Sequence, residues 1–172
     1  RYVLPQPVSR LREAYPDVTV SLHQGSPDQV ARMVIEETAE IGMATESLAN
    51  YPELVTLPCY EWQHVLVMPK NHPLAGVKQI TLERLQEHPL VTYHPSFTGR
   101  SRIDQAFAHQ GLTPQIALEA IDSDVIKTYV SLGMGVGVVA EMAVQDGLPE
   151  QLISRPAGQL FGTNTARVAF KR

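Results

Sequence analysis

The sequence carries one cysteine, Cys59, in 172 residues. A single thiol excludes an internal disulfide and any zinc site built from several thiolates. Bases are outnumbered by acids, 14 Lys and Arg against 18 Asp and Glu, for a net charge of −4. No basic excess is therefore available for gripping a phosphate backbone. No run of eighteen apolar residues occurs, so no segment reads as a membrane-spanning helix. The opening "RYVLPQPVSRL" has neither an initiator Met nor the pattern of a signal peptide, which sets the expectation of a piece of a longer protein. Aromatics are scarce, at 6%, and there is one tryptophan, Trp62. What is abundant is apolar surface: 44% of the residues, enough for one ordinary domain or two small lobes.

Along the chain, helical and strand-like periodicities alternate, which predicts an α/β fold. Residues 1–14 have helical spacing, with Val3, Leu4, Val8, Leu11 and Ala14 on one side. Val18, Val20 and Leu22 alternate as in a strand. Ser26, Pro27 and Gln29 spell a capped helix start, with the hydroxyl, the proline and the amide each in its preferred place. A short strand is expected at "IGMA". Two strand-like runs follow at 54–58 and 64–68, then a short helix, a strand at Leu90–Tyr93 and a helix from Thr98 to about Gln110, stopped by Gly111. "QIALEAID" reads as a strand, "SDVIKTYVSLG" as a helix capped by Asp122 or Ser123, "GVGVVAE" as a buried strand and "ARVAF" as one more. Strands separated by helices predict a largely parallel sheet, with ligands beyond the carboxyl ends of its strands. A change of lobe is expected around Pro58–Gln63.

The stretch "SFTGRSRIDQAFAHQG" poses a question of charge. Its first turn carries Arg100 and Arg102 and no acid before Asp104. Bases oppose the dipole at a helix start by about 0.3–1 kcal/mol each. Two readings follow: the arginines bend away to solvent or to distant acids, or an anion sits there, favoured by free amides, by Gly99 and by hydroxyls such as Thr98 and Ser101. Thr98 is the expected N-cap. A second candidate is Thr45-Glu46-Ser47, at the carboxyl end of the "IGMA" strand, where the plainer reading is a turn. Trp62, beside Tyr60 at the expected change of lobe, is a third; packing is its plainer reading.

Catalytic signatures are missing. The six histidines show no HxxxH spacing, so no metal is called and solvated or structural roles are expected. The glycines at 133, 135 and 137 follow a helix and lead into a strand, the reverse of a dinucleotide-binding turn. No serine lies in a G-x-S-x-G elbow, and Cys59 has no base near it in sequence. No catalytic residue, metal or cofactor is assigned.

Taken together, "HQGSPDQVARMV", "IGMATE", "LPCYEWQHVLVMPKNHPLA", "VTYHPSFTGRS" and "DSDVIKTYVSLGMGVGVVAE" resemble the effector-binding domain of LysR-type transcriptional regulators. The likeness is to the CysB-like subgroup, which controls sulfur assimilation and cysteine biosynthesis, and it runs over essentially the whole chain. It implies two Rossmann-like α/β lobes with a cleft between them, as in type 2 periplasmic binding proteins. Lobe I would span 1–59 with 164–172, its N-terminal part missing, and lobe II 66–160. The DNA-binding winged helix-turn-helix would lie outside the chain. The resemblance further implies an anion or effector held by Thr45 and Thr98 and lined by Trp62, with Gly99 at the helix start; Tyr60, Arg100 and Ser101 are accessory candidates. Sulfate, thiosulfate, O-acetylserine or N-acetylserine would be the effector. The implied partners are DNA through the missing domain, RNA polymerase, and further copies in a homodimer or homotetramer, in the cytoplasm and away from membranes. A paralogous regulator of sulfonate use, a periplasmic-type solute-binding protein and an enzyme on this scaffold are the alternatives.

Overall fold

One strand of sixteen residues, β2 (Leu54–Pro69), joins the two halves of the fold. Its sequence changes character midway. "LVTLPCYEWQ" mixes apolar and polar residues and is buried on one side only, whereas "HVLVM" is buried on both. The pairing explains the change. From Leu54 to Gln63 the strand runs antiparallel to β7 (Thr163–Lys171), with a register shift between Pro58 and Tyr60 that leaves Cys59 in a bulge. From His64 onward it runs antiparallel to β5 (Val136–Ala140) on one edge and, from Val65, to β6 (Leu152–Pro156) on the other. The computed structural model describes residues 2–172; Arg1 and the side chain of Thr98 lie outside the described residues.

Around the first half of β2, the short β1 (Gly42–Ala44) extends the sheet beyond β7. Helix α2 (Pro27–Ile35) packs Ala31 and Val34 over it, together with Leu48, Leu54 and Ala169. The capped start is as the sequence predicts: Gln29 N donates to Ser26 Oγ at 3.4 Å and Ser26 N donates to Gln29 Oε1 at 2.9 Å. Helix α1 (Pro5–Ala14) buries no residue completely. Around the second half, β3 (Pro89–Tyr93) and β4 (Gln115–Ala120) continue the sheet beyond β5, and β3 is parallel to both neighbours. Helices α3 (Leu82–Leu85), α4 (Thr98–His109) and α6 (Gly158–Phe161) cover one face, where Leu85, Ile103, Phe107 and Phe161 meet Leu66 and Met68. Helix α5 (Ser123–Ser131) covers the other, with Ile126 and Val130 against Val65, Val67 and Val139.

Several expectations change. Residues 18–22 form no strand, and Val18 and Leu22 are exposed; alternation becomes a strand only where a neighbour takes up its backbone hydrogen bonds. The runs at 54–58 and 64–68 are one strand, because Tyr60–Gln63 keep pairing with β7 past the bulge. The sheet is mixed and not largely parallel, since β2 enters antiparallel to β5, β6 and β7. Strand β6 and helix α6 were not anticipated; "LISRP" is too short and polar to signal a strand without its partner. The N-cap of α4 is Phe97, one residue before the expected Thr98, and the amide of Arg100 donates to the Phe97 carbonyl at 3.0 Å. Between the two candidates for α5, Asp122 is the cap, accepting from Asp124 N at 2.7 Å.

Candidate functional site

The parallel strands β3 and β4 deliver their carboxyl ends to one place. After β3 the chain turns through His94–Phe97 into α4; after β4 it turns through Ile121 and Asp122 into α5. Tyr93, at the end of β3, ties this corner together: its hydroxyl is 2.7 Å from Ser123 Oγ and accepts from Ala140 N at 2.8 Å. On the opposite side stand the end of β1 and a short 3-10 helix, Glu46–Asn50. Two cavities lie along this meeting line. A larger one, about 950 Å³, is lined by residues including Leu22, His23, Met43, His94, Phe97 and Ile121. A smaller, polar one, about 460 Å³, lies between the 3-10 helix and α4, lined by Glu46, Ser47, Asn50, Ser101, Arg102 and Gln105 among others.

The two first-turn arginines of α4 have different fates. Arg100 is buried, and its guanidinium is held on several sides: Nε donates to Asp104 Oδ1 at 2.8 Å, and Nη1 to Glu119 Oε1 at 2.7 Å and to the Tyr93 carbonyl at 3.0 Å. It locks α4 to β3 and β4. Arg102 instead reaches across to the 3-10 helix. Its Nε and Nη2 both donate to Glu46 Oε1, at 3.1 and 2.7 Å, while Glu46 Oε2 accepts from the Thr165 amide of β7 at 3.1 Å. Both arginines are thus paired with acids, Arg100 with Asp104 one turn on and with Glu119 on β4, and Arg102 with Glu46 across the cleft.

Trp62 and His64 form the floor beneath the first turn of α4. Both side chains are buried, and their rings meet edge to face at 5.0 Å. Gly99 rests on them: a Cβ there would lie 3.2 Å from His64 Nε2 and 3.3 Å from Trp62 Cη2. Glycine is needed because the helix start sits this close to the floor. The first-turn amides, Gly99's included, have no carbonyl one turn earlier within the helix to bond to. His64 is fully buried and neither ring nitrogen has a hydrogen-bond partner; Asn164, opposite Trp62 on β7, is in the same condition. Burial pushes His64 down from 6.5 to about 4; the facing Gly99 backbone pulls it up, the nearby Arg102 guanidinium lowers it by less, and Glu46 raises it least. The imidazole is neutral at physiological pH.

The predicted residues therefore fall as follows. Thr45 precedes the 3-10 helix, with its Oγ1 3.4 Å from Ser47 Oγ; its neighbours Glu46 and Ser47 line the polar cavity and Thr45 itself does not. Ser101 lines that cavity. Gly99 and Trp62 pack against each other, Tyr60 is half-buried beside Trp62, and Arg100 is committed within the fold. The backbone of Thr98 opens α4; its side chain lies outside the described residues. Sequence reasoning missed the Glu46–Arg102 pair. The signal was present in an acid at a strand's carboxyl end and a base where a helix start disfavours one, but only the tertiary fold brings them together. No cluster of three or more potential metal ligands occurs among the described residues.

The profile of the LysR substrate binding domain matches residues 1–169. Among curated proteins, the chain is 49% identical over 172 residues to the HTH-type transcriptional regulator CysB of Burkholderia cenocepacia, covering 100% of this chain and 55% of that protein. It is 47% identical over 172 residues to the HTH-type transcriptional regulator SsuR of the same organism, covering 100% of this chain and 56% of that protein. The chain thus spans about half the length of the curated relatives it matches. Among solved structures, the cofactor-binding domain of the Cbl transcriptional regulator superposes with a TM-score of 0.94 at 45% identity, covering 100% of this chain and 75% of that one.

Proposed function

This chain belongs to the LysR substrate-binding domain family, and on that footing we propose that it is the effector-sensing part of a sulfur-responsive transcriptional regulator, taking a small oxyanion or an acetylated serine between its lobes. The α/β fold with two lobes and an intervening cleft, similar to type 2 periplasmic binding proteins, is that of its structural neighbours. We draw lobe I as 1–59 with 164–172 and lobe II as 66–160; the passage of β2 from β7 to β5 between Gln63 and His64 supports this division.

The observation that carries the reading is the polar cavity between the 3-10 helix and the first turns of α4, lined by Ser47 and Ser101, with Thr45 just before the 3-10 helix and Gly99 in the first turn of α4. A tetrahedral anion suits hydroxyl and amide donors at a helix N-terminus. Thr45, Thr98, Gly99 and Trp62 form the proposed site, and Ser101 joins them. Arg100 drops out, because its donors are engaged within the fold. Neutral donors keep the affinity modest, and that suits a sensor whose ligand must leave. The relatives are named as transcriptional regulators, which favours sensing over turnover and over solute transport. The identities to CysB, SsuR and Cbl are nearly equal, so cysteine-regulon and sulfonate-regulon roles share the proposal. We place the DNA-binding head and the RNA polymerase contact outside this chain, and the whole protein in the cytoplasm; no helix among the described residues is long and apolar enough to cross a membrane.

A second copy is a proposed partner, and the helices that carry "DQVARMVIEE" and "SRIDQAFAHQ", α2 and α4, are the candidates for the contact. Calorimetric titration with sulfate, thiosulfate, O-acetylserine and N-acetylserine tests the site. Thr45→Val and Thr98→Val should each weaken binding on the order of tenfold, the worth of one hydrogen bond to a charged group. Unchanged affinity for every one of these ligands in both variants would refute the site.

A further inference from the structure

We propose that Arg102 is a further recognition residue of the cleft, one that exchanges Glu46 for a bound dianion. This rests on the reading of the cleft as an oxyanion site and adds to it a charged group that the hydroxyl and amide set does not contain.

Four observations point to the exchange. Arg102 lines the polar cavity with Ser47, Ser101 and Gln105, and 35% of its side chain is exposed, against 9% for Arg100. It can therefore move where its neighbour cannot. Both of its bonds to Glu46 land on one oxygen, Oε1. That arrangement forgoes the parallel two-oxygen fork that makes arginine–carboxylate pairs strong. Glu46 does not become an orphan when Arg102 leaves, because its other oxygen keeps the Thr165 amide. Finally, the pair is partly solvated, and screening by water weakens ion pairs of that kind. A doubly charged anion near the positive end of α4 gains from the guanidinium and from the helix dipole together.

The exchange has a structural consequence. Glu46 belongs to the half built on β1 and β7, Arg102 to the half built on β3, β4 and β5. Moving Arg102 from the carboxylate to a ligand removes one tie between the halves and replaces it with a contact through the ligand. A binding event thereby becomes a change in how the halves are held.

The test is calorimetric titration of the chain with sodium sulfate at low and constant ionic strength, with chloride as the control anion. Glu46→Gln, which frees Arg102 and keeps the side-chain shape, should bind sulfate several-fold more tightly than the parent. Arg102→Gln should bind on the order of tenfold more weakly, and the double variant should resemble Arg102→Gln. Arg102→Lys, which retains the charge without the planar fork, should fall between. Circular dichroism establishes that each variant is folded. A second readout is the His64 ring, which lies in the field of Arg102: its NMR titration midpoint should rise when sulfate binds the parent chain and stay put in Arg102→Gln. If Glu46→Gln and Arg102→Gln both bind sulfate like the parent while Thr45→Val weakens it, the exchange is overturned and the cleft reading survives. If the parent takes up none of the oxyanions or acetylserines, both readings fall together.

Discussion

Along the half of β2 from His64 to Met68, helices cover both faces of the sheet, and the buried residues on the two sides include Phe107, Leu85, Ile126 and Val130. Along the half from Leu54 to Gln63, a smaller cluster around Ala31, Val34 and Leu48 covers one face, while Leu57 and Phe170 remain exposed. The same strand thus belongs to a thick, two-sided unit and to a thin, one-sided one. The thick unit is the platform, holding α4 and α5 and the strand ends between them. The thin unit carries Thr45 and Glu46 to meet it, and a sensor gains when one of the two partners can shift. Elements with few buried apolar contacts open at lower free energy.

The strongest way to break this comparison is to remove a core side chain from each unit. Phe107→Ala empties the middle of the platform and should cost about 4 kcal/mol of global stability in chemical denaturation. Leu48→Ala, equally buried, should cost about 3 kcal/mol. The two differ in how the loss is spread. Hydrogen exchange should speed up across the whole chain in Phe107→Ala, and chiefly in α2, β1 and the outer end of β7 in Leu48→Ala. Uniform acceleration in both variants would mean that the two units unfold as one, and the platform argument would fail.

This division was partly legible before any coordinates. The change of lobe expected around Pro58–Gln63, beside the lone tryptophan, lies next to the point where β2 passes from β7 to β5. The start of α2 was legible in full, because a capping box is local chemistry. The segment 18–22 misled, because periodicity reports a preference for the extended state and says nothing about a partner. Strand β6 was invisible for the complementary reason: its place is fixed by the edge of β2, which lies about 85 residues away in sequence. The Glu46–Arg102 pair was half legible. The anomaly of bases at a helix start was visible, and its resolution needed the fold to bring residue 46 to residue 102.

Between the two units sits His64, and pH sharpens the comparison there. Its folded value of about 4 lies below the ordinary 6.5, so the unfolded chain binds the proton more readily than the folded one. Stability from this group is complete above pH 6.5, declines as pH falls, and is lost by about pH 4. The total is about 3 kcal/mol, at 1.36 kcal/mol for each unit of separation. His64→Gln should therefore close part of its stability gap to the parent between pH 6.5 and 4, measured by denaturation at matched ionic strength. Parallel stability curves over that range would show that the imidazole is not held neutral by burial.

The smallest effect tests the thin unit at its edge. Ser26 caps α2 through the reciprocal pair with Gln29, and Ser26→Ala should cost about 1 kcal/mol. Because α2 supplies Ala31 and Val34 to the small cluster and nothing to the larger ones, the loss belongs to the thin unit alone. Denaturation should show the shift, and the amides of α3 and β6 should keep their exchange rates. Faster exchange there as well would mean that α2 supports the platform, contrary to the packing described above. A cap variant that leaves sulfate affinity unchanged while lowering stability would further separate the stability of this half from its part in the cleft, since Ser26 lies with the larger cavity and not with the polar one where Arg102 meets Glu46.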